Sequence, residues 1–206
     1  MRLSSSEEDY LKTVYGLGEW EPDPVTTGAV AAKLGVSPAS ATTMVAKLSG
    51  RGLLDHPPYG AVSLTPAGLR AALSVVRRHR LIETFLVGEL GYSWDEVHEE
   101  AELLEHTVSA RFIDGLDERL GYPAADPHGD PIPTREGELR RPRAVRLDRA
   151  PGGAAVVVRV SDVDPEVLRL CAEAGIRPGT LLEGGAHPLT PAQASAVWVA
   201  PHGFRS

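Results

Sequence analysis

Residues 25–64 combine a helix, a tight glycine turn, a second helix and a short hairpin, and this order restricts the fold more than any other feature. The stretch 27–34 has helical composition and is followed by Gly35, a residue suited to the left-handed turn that ends a helix. Ser37 and Pro38 begin the next helix, because serine caps a helix N-terminus and proline fits the first turn. This succession predicts a winged helix-turn-helix.

Three further helices are predicted, so the chain belongs to the mainly α class with small β elements. An amphipathic helix over 5–19 has its apolar residues at helical spacing. A second helix is expected over 65–90, since a Thr-Pro pair supplies its cap and its first residue. A third is expected over 93–120, where Ser93 and Glu96 have the spacing of a capping box.

The composition changes after the third helix. Residues 121–142 are polar and rich in proline and glycine, which predicts a linker or an extended connection. Short strands and one helix follow, and a small β-barrel fits them. The predicted strands are 144–147, 154–160, 181–182 and 196–199, and the predicted helix is 164–174. We therefore expect three domains, over 1–72, 73–140 and 141–206.

Composition excludes several classes of protein. Cys171 is the single cysteine of the 206 residues, so the chain can form neither an internal disulfide framework nor a zinc site built from cysteines. The absence of a run of about 18 apolar residues argues against a transmembrane helix. The polar, acidic N-terminus argues against a cleaved signal peptide. We expect a cytoplasmic protein with no membrane partner.

The net charge of −7 conceals an uneven distribution of charge. Residues 25–54 contain Lys33, Lys47 and Arg51 and no acidic residue, whereas residues 95–105 contain six acidic residues. Phosphate groups respond to the charge that is close to them, not to the sum over the chain. The helix-turn-helix region is therefore compatible with DNA binding.

Two predicted helices place histidine and glutamate at the border between core and solvent. The residues are His98, Glu102, Glu105 and His106 on the later helix, and His79 and Glu83 on the earlier one. The later four project within about 100° of one another, beside an apolar stripe centred roughly 120° away. Charged groups in this position need a partner. A divalent metal is one candidate, and ion pairs with Arg77, Arg78 and Arg80 are the other.

The types of donor atom narrow the metal chemistry. Glu102 stands where a zinc-protease motif that begins at His98 requires its second histidine, so that class of enzyme is excluded. Imidazoles and carboxylates without a thiolate suit Mn²⁺ or Fe²⁺ better than structural zinc. The sequence also lacks a nucleophile elbow, a phosphate loop and the paired Glu-x-x-His motifs of di-iron helices. No catalytic residue is predicted.

Several motifs together resemble those of one known family. They are Glu8-Asp9-Tyr10-Leu11, Ser37-Pro38, Arg78-His79-Arg80-Leu81 with Glu83, Val97-His98-Glu99-Glu100-Ala101-Glu102 with Glu105-His106, and Pro127-His128-Gly129-Asp130-Pro131-Ile132-Pro133. The chain resembles the diphtheria toxin repressor family of metal-dependent transcription regulators over about residues 4–135. The resemblance implies a winged helix-turn-helix domain, a helical dimerisation domain and, through a looser match at 174–179, a C-terminal SH3-like β-barrel.

The resemblance also implies two metal sites. The primary ligands would be Asp9, Glu102, Glu105 and His106, and the ancillary ligands His79, Glu83 and His98. The resemblance places Asp9 and Glu102 at positions where iron-type members have a methionine and a cysteine. It therefore implies Mn²⁺ as the co-repressor, with Fe²⁺ as the alternative. Lys12 replaces an acidic ligand that manganese-type members often have. A ligand from the C-terminal domain would map to Asp164 or Glu166.

The helix that begins at Ser37 is the expected recognition helix. Its expected base contacts are Ser37, Pro38, Ala39, Ser40, Thr42 and Thr43, and the expected phosphate contacts are Lys33, Lys47 and Arg51. A homodimer, held by the apolar stripe of the 93–120 helix with Phe85, Leu86 and Leu90, would bind a palindromic double-stranded operator. Two alternatives stay open. One is a winged-helix regulator that answers an organic ligand, with the His/Glu face forming salt bridges, and the other is a helical metal enzyme.

Overall fold

A computed structural model describes residues 3–21, 23–58, 60–183 and 187–201. The chain divides into two compact units. The first contains the residues up to Arg77 with Arg135–Gly137, and the second contains Arg78–Thr134 with the residues from Glu138 onward. The three domain boundaries stay a prediction. Within the described ranges, every helix is too short or too polar to cross a membrane.

The first unit contains the predicted winged helix-turn-helix. Its elements are α1 (Ser5–Leu17), α2 (Thr27–Lys33), α3 (Pro38–Gly50), β1 (Leu54–Asp55) and β2 (Ser63–Leu64), and the two strands pair antiparallel. Gly35 has a positive φ of 64°, and the Ser37 side chain accepts the backbone N–H of Ser40, so both turn signals act as predicted. The three helices pack on one another through buried apolar residues such as Leu11, Val30 and Val45.

The helix predicted over 93–120 is two helices, α5 (Val97–Leu104) and α6 (Ala110–Arg119). The preceding helix, α4 (Pro66–Leu90), has the predicted extent. Two local hydrogen bonds explain the break. The Thr107 hydroxyl donates to the Leu104 carbonyl at 2.9 Å, and Ser109 caps α6. Such side chains offer the backbone partners that compete with a continuous helix.

The two ends of α5 also differ from expectation in a way that matters for the site. The Ser93 hydroxyl donates to the Glu96 carboxylate at 2.6 Å instead of accepting a backbone N–H, so the predicted capping box does not form. Glu105 follows α5 with helical dihedrals, and its N–H donates to the Ala101 carbonyl at 3.0 Å. The helical spacing from His98 to Glu105 is therefore preserved.

The segment predicted to be a linker is partly core. Asp126, His128, Asp130 and Ile132 are all buried, and His128 has no exposed surface. The Asp126 carboxylate accepts the backbone N–H groups of His128 and Asp130, at 2.9 and 3.0 Å. These hydrogen bonds fold the proline-rich segment back on itself, which composition alone did not predict.

The C-terminal part is a four-stranded antiparallel sheet with the strand order β3-β6-β4-β5. Its elements are β3 (Val145–Arg146), a 3-10 turn (Leu147–Arg149), β4 (Ala155–Val160), α7 (Pro165–Glu173), β5 (Leu181–Leu182), α8 (Pro191–Ala194) and β6 (Val197–Pro201). The predicted strands and the predicted helix are present, and α8 was not predicted. One face of β4 packs with α7, Cys171 and Trp94 in a common core.

The apolar stripe that was predicted to form the dimer contact lies inside the second unit. Val97 and Ala101 are fully buried, and they pack with Leu81 and Ile113 in one core. For these two residues the prediction is wrong, because a stripe that faces a partner and a stripe that faces the chain's own core have the same spacing. Large apolar side chains exposed on α4, α5 and α6 are Leu69, Leu90, Leu103 and Phe112.

Gly129 marks a close approach between the 126–133 segment and β4. A Cβ atom on Gly129 would lie 2.0 Å from the carbonyl oxygen of Val158, and the residue has a positive φ of 95°. Beside it, the backbone N–H of Val160 donates to the His128 carbonyl at 2.9 Å. Only glycine fits both the space and the dihedral angle, so this contact fixes the segment against the sheet.

Gly129→Ala is therefore expected to lower the free energy of unfolding by about 2 kcal/mol or more, because backbone strain and a backbone clash add. Chemical denaturation measures the change. Gly121→Ala is the matched control, since Gly121 also has a positive φ, of 74°, but no atom within 4 Å of the added methyl. An equal loss in both variants would show that the contact with β4 contributes nothing.

Candidate metal centre and nucleic-acid interface

The predicted ancillary residues converge on Glu83. Its side chain is 1% exposed, and Oε1 lies 3.0 Å from Nε2 of His79, one turn earlier on α4. The same oxygen lies 3.4 Å from Nδ1 of His98 on α5. The two imidazole nitrogens are 3.2 Å apart. These three atoms lie within hydrogen-bonding distance of one another, and the same three atoms could bind one cation.

The opposite side of the His79 ring fixes which nitrogen can bind a cation. Nδ1 lies 2.7 Å from Oε2 of Glu105, which has no exposed surface. With Nδ1 donating to this carboxylate, Nε2 is the nitrogen that faces Glu83 and that a cation would bind in place of a proton. A carboxylate that orients a histidine in this way is the usual outer shell of a metal site.

An aspartate from the C-terminal part of the chain joins this group. Oδ2 of Asp162 lies 3.4 Å from Nδ1 of His98. The predicted candidates differ in position, since Asp164 caps α7 by accepting the N–H of Glu166 at 2.9 Å, and both side chains are exposed. Asp162 is thus the acidic residue of the turn after β4 that lies beside the ancillary group.

The predicted primary residues of α5 and the turn after it also lie together. Oε1 of Glu105 is 3.3 Å from Nε2 of His106. Glu102 and Glu105 have carboxylate oxygens within 4.8 Å of each other and of His79. Glu105 therefore contacts both predicted groups. Its Oε2 faces His79 of the ancillary group, and its Oε1 faces His106 of the primary group. Asp9 is a half-buried residue of α1 in the first unit.

Two further residues, Asp126 and His128, were not predicted as ligands. They form a buried group with Glu83, and the ligand atoms of the three residues lie within 4.8 Å of one another. Nε2 of His128 donates to the carbonyl of Trp94 at 3.1 Å, which leaves a lone pair on Nδ1. Among the described residues, that nitrogen has no hydrogen-bond partner. A buried, unpaired imidazole lone pair beside two carboxylates fits a divalent cation. The signal was an Asp-x-His pattern within the proline-rich segment.

The protonation of these groups shows how strongly they interact. Burial raises the pKa of Glu83, but the neighbouring His79 and His98 outweigh it and hold that pKa well below its usual value. Burial, Asp130 and Glu83 together raise the pKa of Asp126 well above its usual value. Arg80, one of the three arginines named for the ion-pair alternative, lies 3.6 Å from Asp126 and 3.5 Å from Asp130, so it balances carboxylates of the proline-rich segment.

The expected recognition helix presents a small polar surface. Its six predicted base contacts are all exposed, and they are Ser37, Pro38, Ala39, Ser40, Thr42 and Thr43. The hydroxyls of Thr42 and Thr43 donate to carbonyls one turn earlier, at 2.8 and 2.9 Å. The helix therefore offers its methyl groups and hydroxyl oxygens outward.

Two of the three predicted phosphate contacts pair with a buried carboxylate. Arg51 donates to Oε1 of Glu7, and Nζ of Lys47 lies 3.0 Å from the same oxygen. Glu7 also closes the capping box of α1 with Ser4, so this side chain ties the start of α1 to the end of α3. Lys47 is still 57% exposed, which leaves its ammonium accessible to a phosphate, and Lys33 is exposed.

Comparison with known proteins agrees with this combination of a winged helix-turn-helix and buried imidazole–carboxylate groups, which defines a metal-responsive DNA-binding regulator. Residues 2–62 match the N-terminal DNA-binding domain of the iron-dependent repressors, and residues 65–134 match their metal-binding and dimerisation domain. The chain belongs to the iron-dependent repressor family of metal-dependent transcriptional repressors.

Three known proteins illustrate the relationship. The iron-dependent repressor IdeR of Mycobacterium leprae is 32% identical over 172 residues, which cover 80% of this chain and 74% of that protein. The diphtheria toxin repressor of Corynebacterium efficiens is 32% identical over 189 residues, covering 86% and 82%. A solved structure of a manganese-dependent transcriptional repressor in complex with manganese shares 42% identity, with a TM-score of 0.86, over 95% of this chain and 99% of that one.

Glu7→Gln tests the junction of α1 and α3. The hydrogen bond from Arg51, followed by those from Ser4 and Lys47, lowers the pKa of Glu7 from 4.5 to about 2. A lowered carboxyl pKa stabilises the fold above pH 4.5, and this contribution is lost as the pH falls from 4.5 towards about 2. We expect the variant to lose roughly 2 kcal/mol at pH 7 and little at pH 2.

Denaturant titrations at both pH values measure the difference. Asp55→Asn is the control, since Asp55 is an exposed carboxylate of β1 in the same unit. A loss that is equal at the two pH values would contradict the assignment.

Proposed function

We propose that the chain is a homodimeric repressor that binds a palindromic double-stranded operator when Mn²⁺, or alternatively Fe²⁺, fills its His/Glu groups. The observation that supports this most directly is the convergence of His79, Glu83, His98 and Asp162 at 3.0–3.4 Å between successive donor atoms. We further propose that the protein acts in the cytoplasm as a regulator without catalytic residues.

The donor chemistry favours Mn²⁺. All proposed ligands are imidazoles or carboxylates, and hard oxygen donors are the means by which a site selects Mn²⁺, which lies at the weak end of the affinity order. The structural relative with 42% identity is a manganese-dependent repressor bound to manganese. Fe²⁺ binds similar ligands, so it stays the alternative.

Two ligand groups are proposed. The ancillary group is His79, Glu83 and His98, to which the geometry adds Asp162. The primary group is Glu102, Glu105 and His106, to which the family resemblance adds Asp9 of α1. A bound ion would supply positive charge. Glu105 would orient His79 for one group while its second oxygen serves the other.

Metal control of DNA binding follows from differential affinity. An ion shifts a conformational equilibrium only if it binds one state more tightly than the other. Asp9 belongs to α1, whose first turn Glu7 ties to the end of α3. We propose that metal binding thereby favours the arrangement in which α3 can reach the major groove, with Lys33, Lys47 and Arg51 at phosphates.

The affinity for operator DNA is expected to rise about 100-fold when Mn²⁺ replaces EDTA, which corresponds to roughly 2.7 kcal/mol of bias. Fluorescence anisotropy with a labelled palindromic duplex measures this change, and Mg²⁺ at the same concentration controls for screening of the phosphates. Equal affinities in EDTA and in Mn²⁺ would contradict metal control and favour the regulator that answers an organic ligand.

Glu83→Gln tests the ligand set itself. The change removes the carboxylate that both imidazoles face, so we expect the Mn²⁺ affinity measured by calorimetry to fall by a factor of at least about ten. The control is Glu89→Gln on the same helix, where the carboxylate pairs with Arg119 at 3.1 Å on the surface. A variant at position 83 that binds Mn²⁺ like the control would overturn the assignment of Glu83.

A further inference from the structure

Arg159 is a buried arginine at the end of β4 that the proposed ligand sets do not include. Its Nε lies 2.6 Å from Oδ1 of Asp130, and its Nη2 lies 3.7 Å from Oδ1 of Asp162. The guanidinium carbon lies 4.6 Å from the centre of the Trp198 ring. One planar group therefore meets two carboxylates and an aromatic face, which leaves it little freedom to reorient.

The two carboxylate oxygens of Asp162 face two different partners. Oδ1 faces Arg159, and Oδ2 faces Nδ1 of His98 at 3.4 Å. Arg159 thus contacts the carboxylate oxygen that does not face the histidine.

The fixed point of this arrangement is the 126–133 segment. Asp130 is buried and lies close to Arg80 as well as to Arg159. The Asp130 N–H donates to the buried Asp126 carboxylate at 3.0 Å, and Gly129 contacts β4 without room for a side chain. Asp130 of this segment, which also pairs with Arg80 of α4, therefore fixes the position of Arg159.

We propose that Arg159 is a positioning residue that holds the Asp162 carboxylate towards His98 and so completes the ancillary metal group. The inference rests on the proposed function, because it assigns a role towards the same group. Partners that orient a ligand from outside the metal site typically change the metal affinity 10–100-fold. The fork of the guanidinium is required, since a lysine ammonium is a single point charge that cannot address both carboxylates in the same way.

The experiment titrates the metal-free full-length chain with Mn²⁺ alone in a calorimeter. We expect Arg159→Gln and Asp162→Asn each to weaken the ancillary site at least about tenfold, and the double variant to bind no more weakly than Asp162→Asn. Arg159→Lys, which keeps the charge, is expected to weaken binding as well. The control is Arg169→Gln, whose arginine is 55% exposed and pairs with Asp95 at 3.7 Å.

Two outcomes overturn the inference. One is a wild-type Mn²⁺ affinity in Arg159→Gln or in Arg159→Lys. The other is an additive loss of Mn²⁺ affinity in the double variant, which would mean that Arg159 does not act through Asp162. Thermal melting without metal shows that each variant is folded, and the lysine variant keeps the experiment decisive if the glutamine variant does not fold. Equal operator affinities of the wild type in EDTA and in Mn²⁺ would mean that the proposed function has failed. A weakened Glu83→Gln variant with no effect at position 159 would defeat this inference alone.

Discussion

The burial of several carboxylates beside one another is the constraint on which the second unit depends. Like charges that are removed from water raise one another's free energy, and the raised pKa of Asp126 reflects this cost directly. The fold balances the carboxylates with imidazoles at Glu83 and with guanidinium groups at Asp130. A divalent cation could compensate negative charge of these carboxylates that the protein side chains do not.

The same constraint explains why the C-terminal sheet belongs to one compact unit with the helices. The turn after β4 brings Asp162 to His98, and the contact at Gly129 keeps the 126–133 segment against that strand. The proposed ancillary group draws its residues from α4, α5 and the turn after β4. It is therefore complete only when all of these elements are in place. Binding of an ion and ordering of these elements should therefore be coupled.

Local chemistry explains what could be predicted from sequence. Caps, prolines and helical periodicity predicted the helix-turn-helix, and the one-turn spacing of His79 and Glu83 predicted that these two side chains lie together. Residues such as Asp126, His128 and Arg159 were missed because their roles arise from tertiary contacts between distant segments. The break before Ser109 was missed because apolar spacing continues through it, and the buried role of Glu7 because an acidic residue in a first helical turn is ordinarily explained by the helix dipole.

The placement of sulfur has a consequence for oxidative stress. The single cysteine, Cys171, is buried in the core of the C-terminal sheet, and burial raises the pKa of its thiol, so little nucleophilic thiolate is available to oxidants. The imidazoles and carboxylates that surround Glu83 do not undergo the reversible oxidation that thiolates do. Oxidation of the single cysteine is therefore not expected to alter the groups around Glu83, and metal binding there would not depend on the redox state of that thiol.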